Sequence, residues 1–299
     1  MRSFAWFLGL IVLALAAMAV FTYPLWSVLH PHFGFPFHRV ADRIGMVALA
    51  AGFFTIARRM RLLDRASLGY GLPARRLVPE ITLGFALGVA SMALVVVLMV
   101  ALKLRLLRTG AVLTPAALAP IALQGLLRGI AVTLIEETFL RGAMWSGIAR
   151  ESGARTATVL TAFVYAFSHF VGQYRIAEAQ LGWHSGIDML AGALRLFAHP
   201  LGIADAYLCL FAVGLALGAV RAATGNIAAT LGLHAGFVWV ITFVREISLP
   251  DARSPLAFLL SRFDGVVGWL VLGWTVPLGL LLYQFYSART ARPNPRATA

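Results

Sequence analysis

Apolar residues run in blocks of about twenty, and polar residues collect in short stretches between them. A block of that length crosses the hydrocarbon core of a bilayer as a helix. The blocks predict membrane helices over 4–23, 39–57, 79–102, 115–150, 156–171, 201–220, 226–244 and 265–285. The fourth is too long for one straight span, and Pro120, Gly125 and Gly129 are places where it can kink. After the fifth block the pattern changes. Ile187, Leu190, Ala191, Leu194 and Phe197 recur at helical spacing beside Asp188, Arg195 and His199. The segment 184–198 therefore reads as an amphipathic helix lying in the membrane interface, with Ser185 and Asp188 as a capping-box-like start.

The fold class is all-α: a polytopic membrane protein with about eight transmembrane helices and one interfacial amphipathic helix. Helices 1–3 fall in 1–114 and helices 4–7 in 115–245. The last part, 246–299, holds helix 8 and a tail with Arg289, Arg292, Pro293 and Pro295 that is expected to be disordered. No internal repeat and no separate soluble domain is visible.

Composition narrows the partners. The 299 residues are 60% hydrophobic and 12% charged, which lies outside the soluble globular range. A net charge of +13 would suggest nucleic acid in a soluble protein. Here the arginines sit in short loops between apolar blocks, so they suit topology control and anionic lipid headgroups, not nucleic acid. Their bias places both termini on the cytoplasmic side. The first block ends in Tyr23, Pro24 and Trp26 and reads as an uncleaved span. His30, His32 and His38 lie in an expected interfacial loop, 27–39, at a spacing that matches no metal-ligand pattern. The single cysteine, Cys209, excludes an intrachain disulfide.

The stretch that needs chemistry is 130–141, where Glu136 and Glu137 follow a long apolar run and Arg141 comes four residues later. A carboxylate at bilayer depth costs roughly 2.5–3.5 kcal/mol on insertion scales. Glu137 and Arg141 stand at i and i+4 and can pair. Glu136 points about 100° away and is left without that partner. Counted from the connection at 151–155, Glu136 and His169 both lie about 20 Å along consecutive antiparallel helices. His234 lies only about 12 Å from Asn226, so it joins them if its helix tilts or starts deeper. Glu136, His169 and His234 are expected to line one polar cavity that opens toward the cytoplasmic side.

Glu136-Glu137-x-x-x-Arg141, then Tyr165-x-x-x-His169, then a further helix carrying His234, resembles the CAAX-protease and bacteriocin-processing (CPBP, or Abi) family of intramembrane endopeptidases. The resemblance covers about 115–245. It implies an integral membrane hydrolase, expected in a bacterial inner membrane, that cuts a membrane-borne peptide or a prenylated CAAX-type protein. It implies that Glu136 takes a proton from water, His169 helps hold that water and His234 donates to the oxyanion. Glu137, Arg141, Tyr165 and Thr230 would support them.

Two positions depart from the family pattern. The second motif usually begins with Phe and here has Tyr165. The third usually ends in Asn four residues after its His, where this chain has Val238. Valine cannot donate to an oxyanion, and one lost donor can cost roughly a hundred- to thousandfold in rate. Thr230 or the Trp239 indole could take its place. Such sites have also been described as metal-dependent, and Glu136, His169 and His234 could hold zinc with water in the open position. The commitment of Glu137 to Arg141, and the lack of a His-x-x-x-His pair on one helix, favour a metal-free glutamate mechanism. Two other readings stay open. One is a non-catalytic immunity or partner-binding protein on the same scaffold. The other is a proton-coupled transporter using the same three residues as a relay.

Overall fold

The computed structural model describes residues 1–171 and 174–291. In chain order the elements are α1 (Arg2–Phe33), α2 (Phe37–Arg59), α3 (Ala74–Ala101), β1 (Arg105–Leu107), α4 (Pro115–Glu137), a π-helical segment (Thr138–Met144) and α5 (Trp145–Val171). Then follow α6 (Ser185–Arg195), α7 (Ala204–Thr224), α8 (Ala228–Ile247), β2 (Ser248–Pro250) and α9 (Trp269–Ala291). Among the described residues seven helices are long and apolar enough to cross a membrane. One of these, Pro115–Val171, is 57 residues long and leaves helical geometry at Gly153, where φ is 82°. The chain reverses there. Trp145 Nε1 donates to Thr158 Oγ1 at 3.1 Å, whereas a straight helix would hold the two residues about 20 Å apart. With both limbs counted, eight segments can cross.

The connections gather at two ends. At the first, the N-terminal ammonium pairs with Glu151 at 2.7 Å, Arg150 donates to the Arg61 carbonyl at 3.3 Å, and Arg289 pairs with Glu80 at 2.5 Å. At the second, β1 and β2 form an antiparallel ribbon held by Arg105, which donates to the Ser248 hydroxyl at 2.9 Å and to the Gly265 carbonyl. Arg105 is buried and serves structure, a role its place in a basic stretch does not reveal.

α6 is 11 residues long, about half what a span requires. Its buried face is made of small residues and one methionine: Gly186, Met189, Gly192 and Ala193. A side chain at Gly186 would meet the Ala19 carbonyl oxygen of α1 at 2.1 Å, so the helix lies against α1. The larger apolar residues Ile187 and Leu194 point outward, as an interface-bound helix requires. The capping box does not form: Ser185 Oγ accepts from the Gly182 N–H. Two further expectations change. α1 runs through Pro24 and Pro31 to Phe33, so His30 and His32 are helical and not in a loop. Arg289 belongs to α9, while Arg292, Pro293 and Pro295 lie outside the described residues.

α3 and α8 make the closest packing, through Gly84 and Gly88 on one helix and Gly232 and Gly236 on the other. A Cβ at Gly232 would stand 2.1 Å from the Ile81 carbonyl oxygen, and one at Gly88 would stand 2.4 Å from that of Leu233. Small residues spaced by four allow such backbone contact between membrane helices. The atoms opposite are backbone and cannot swing aside. Gly232→Ala is expected to cost about 1–3 kcal/mol, the usual range for overpacking, and to lower the melting temperature of the detergent-solubilised protein by several degrees. Gly273→Ala in α9, where nothing lies within 4 Å, is expected to leave it unchanged.

Candidate active site

α4 packs on α8 with the row Gly125, Gly129, Thr133 and Glu137, all buried. Glycine at 129 lets the helices approach, since a Cβ there would stand 3.0 Å from the Ala235 carbonyl oxygen. One residue earlier at each step, a parallel row carries Gln124, Arg128, Val132 and Glu136, all exposed or half-exposed. Two adjacent carboxylates thus receive opposite surroundings from helical spacing alone. The Glu137 side chain is fully buried and that of Glu136 is 31% exposed.

Glu137 sits between two cationic or potentially cationic partners. Its Oε1 accepts from Arg141 Nη1 at 3.0 Å and lies 3.0 Å from His234 Nδ1. Arg141, also fully buried, donates to the Gly214 carbonyl at 3.3 Å and lies 4.7 Å over the Tyr165 ring. His234 turns its other nitrogen, Nε2, toward the Tyr165 hydroxyl at 3.4 Å and Glu136 Oε2 at 3.9 Å. Glu136 Oε2 has no hydrogen-bond partner among the described residues. His169 stands one turn after Tyr165, with ring centroids 4.5 Å apart, and its Nδ1 lies 2.8 Å from the Tyr165 carbonyl oxygen. The structure therefore joins Glu136, Glu137, Arg141, Tyr165, His169 and His234 in one contiguous cluster drawn from α4, the π segment, α5 and α8.

His234 reaches this depth because α8 begins inside the protein. Ile227 is fully buried, and its N–H donates to the Gly69 carbonyl at 3.0 Å, so the turn at 225–227 tucks under the loop 60–73. In that loop hydrogen bonds from Ser67, side chain and backbone, hold the Asp64 carboxyl below its ordinary range. The loop lies over the π segment: Ser146 Oγ donates to the Ser67 carbonyl at 2.7 Å, and the Tyr70 hydroxyl is 2.6 Å from Thr138 Oγ1. The expected opening toward that end is thus roofed by a loop, and the exposed part of Glu136 lies on the outer row of α4.

Sequence reading missed two supports. Arg221, counted among topology arginines, is buried and donates through Nε to the Arg141 carbonyl at 3.0 Å while covering the Trp145 ring at 4.5 Å. It thereby holds a π-segment carbonyl beside the site. Segments of this kind occur often at functional sites. Tyr70 carried no signal beyond its place in a basic loop. The suggested oxyanion substitutes are engaged elsewhere. Thr230, buried beside Glu137, donates to the Ile227 carbonyl at 3.0 Å, and the Trp239 indole donates to the Ala122 carbonyl at 2.7 Å. Val238 is half-buried, one turn after His234.

The zinc alternative can be set against these positions. Among the described residues no group of three or more His, Cys, Asp or Glu side chains is placed to hold a metal. His234 Nδ1 meets Glu137 and His169 Nδ1 meets the Tyr165 carbonyl, so a metal would have to be taken by the Nε2 atoms of the two rings together with Glu136.

A polytopic helical membrane protein with a buried carboxylate–histidine–arginine cluster is the class that fold and site define. Residues 118–240 match the family model described as Type II CAAX prenyl endopeptidase Rce1-like. The match falls on the segment whose motifs resemble the CPBP family. No curated protein and no solved structure matches the chain.

Proposed function

We propose that the protein is an intramembrane endopeptidase that hydrolyses a peptide bond of a membrane-associated, prenylated CAAX-type substrate, with Glu136 as general base and no metal. The observation that carries this is the division of labour in the glutamate pair. Each glutamate keeps an Oε2 without a hydrogen-bond partner among the described residues, but Glu137 is fully buried with Arg141 and His234 both at 3.0 Å, whereas Glu136 is partly exposed, has no arginine beside it and meets only His234 Nε2, at 3.9 Å. Glu136 takes a proton from water as the water attacks the scissile carbonyl. His169 helps to hold that water.

The oxyanion needs donors on the other side. An ionised Glu137 only accepts, so His234 donates to it through Nδ1–H. His234 Nε2 donates to the developing oxyanion in the doubly protonated form of the ring, with Glu137 as the counter-charge. The Tyr165 hydroxyl, buried against Nε2, supplies the second donor. This accounts for both departures from the family pattern together: the hydroxyl gained at Tyr165 stands in for the amide lost at Val238.

The test is hydrolysis of an S-farnesyl peptide by purified protein in detergent. Tyr165→Phe keeps the ring that Arg141 and His169 touch and removes only the hydroxyl. It is expected to lower kcat by about a hundredfold, the size of one oxyanion donor, with KM little changed, and Val238→Asn in that background is expected to restore part of the rate. Full activity in Tyr165→Phe would remove Tyr165 from the mechanism.

A further inference from the structure

The outer row of α4 carries a second group that the proposed chemistry leaves unused. Arg128 is exposed and makes no hydrogen bond or ion pair among the described residues. It is far from either end of the bundle. Its neighbour Gly129 packs at Ala235 of α8, and Gly236 packs at Phe85 and Val89, near the middle of α3. The start of α4 at Pro115 is about 20 Å away along the helix, beyond the reach of a snorkelling side chain. An arginine held at that level costs roughly 2.5–3.5 kcal/mol, and an intramembrane charge of this kind marks a site for an ion or substrate group.

Spacing identifies the group. Arg128 and Glu136 lie on one row, eight residues and about 12 Å apart. An extended peptide covers about 10–11 Å in three residues. In a C-terminal Cys-a-a-X sequence the lipid sits on the cysteine, and three residues follow it. A chain with the bond after that cysteine at Glu136 would bring its terminal carboxylate to Arg128. Resting on the endopeptidase reading, we propose that Arg128 is the binding site for the C-terminal carboxylate of the substrate. A guanidinium suits it because its paired N–H donors match both carboxylate oxygens. The site measures the distance from cleaved bond to chain end, so it selects a C-terminal tripeptide and discriminates against internal segments.

The test separates binding from turnover. Glu136→Gln protein in nanodiscs is titrated with an S-farnesyl peptide ending Cys-Val-Val-Met, either as the free acid or as the C-terminal carboxamide. The acid is expected to bind at least tenfold more tightly, as a charge-assisted contact implies. Adding Arg128→Gln is expected to erase that preference by weakening the acid alone, and Arg128→Lys is expected to keep part of it. Equal binding of acid and amide, or a preference that survives Arg128→Gln, would overturn the proposal. Turnover by the unsubstituted protein is followed in parallel. An Arg128-dependent preference without any cleavage would keep the carboxylate site and reject the endopeptidase reading.

Discussion

Glu136→Gln is expected to leave a folded, monodisperse membrane protein with no measurable peptide hydrolysis. Glutamine is isosteric, and the half-exposed Glu136 side chain has its closest charged contact at 3.9 Å, so little folding energy depends on it. A positioned general base contributes about a hundred- to ten-thousandfold in rate, and the amide has no basic oxygen to replace it. The contrast with Glu137 gives the prediction its edge. If both variants fold and only Glu137→Gln is inactive, the roles of the two carboxylates are reversed.

The largest stability effect is expected from Arg141→Met. Arg141 and Glu137 are both fully buried and share a 3.0 Å contact. Removal of one partner leaves the other charge uncompensated, at a cost of about 3–5 kcal/mol. Against the marginal stability of most folds, that is enough to lower the yield of folded protein severely. Glu137→Gln should follow the same direction more mildly, because His234 and Arg141 can still bond an amide oxygen. The double variant Glu137→Leu with Arg141→Met should recover part of the yield, since a buried pair replaced by apolar residues is often tolerated, and it should stay inactive because His234 loses its counter-charge. Size-exclusion profiles and thermal melts in detergent read both effects. A normal melt for Arg141→Met alone would mean that the pair does not organise the site.

Much of this was legible before any coordinates. Apolar blocks marked the crossing segments because each is long enough to span and is bounded by charge. The reversal within α5 fell inside the expected connection 151–155, at Gly153, where a positive φ favours glycine. The Glu137–Arg141 pair followed from spacing alone. What stayed hidden depends on contacts between distant segments. His234 looked too shallow because depth was counted from Asn226 as though it lay at the surface, whereas the turn after it is buried under the loop 60–73. The π segment has no periodic signature, and its support from Arg221 comes from a residue 80 positions away. Hydrogen-bond capacity misled in the same manner. Thr230 and Trp239 have the right groups for an oxyanion, but both donate to backbone carbonyls, while the Tyr165 hydroxyl faces His234. On α6 the large apolar residues Ile187 and Leu194 face outward, in keeping with an interfacial helix, whereas the close approach to α1 is made by small residues that carry no hydrophobic signal.

The central claim is that water activated by Glu136 attacks the peptide bond directly, without a metal. Single-turnover cleavage of an S-farnesyl peptide in heavy-oxygen water, with a strong chelator present and the new carboxyl terminus weighed by mass spectrometry, tests it most directly. Direct attack places one labelled oxygen in that terminus on the first turnover and gives no product with Glu136→Gln. Unlabelled first-turnover product, loss of cleavage on chelation, or labelled product from the Glu136→Gln protein would contradict it.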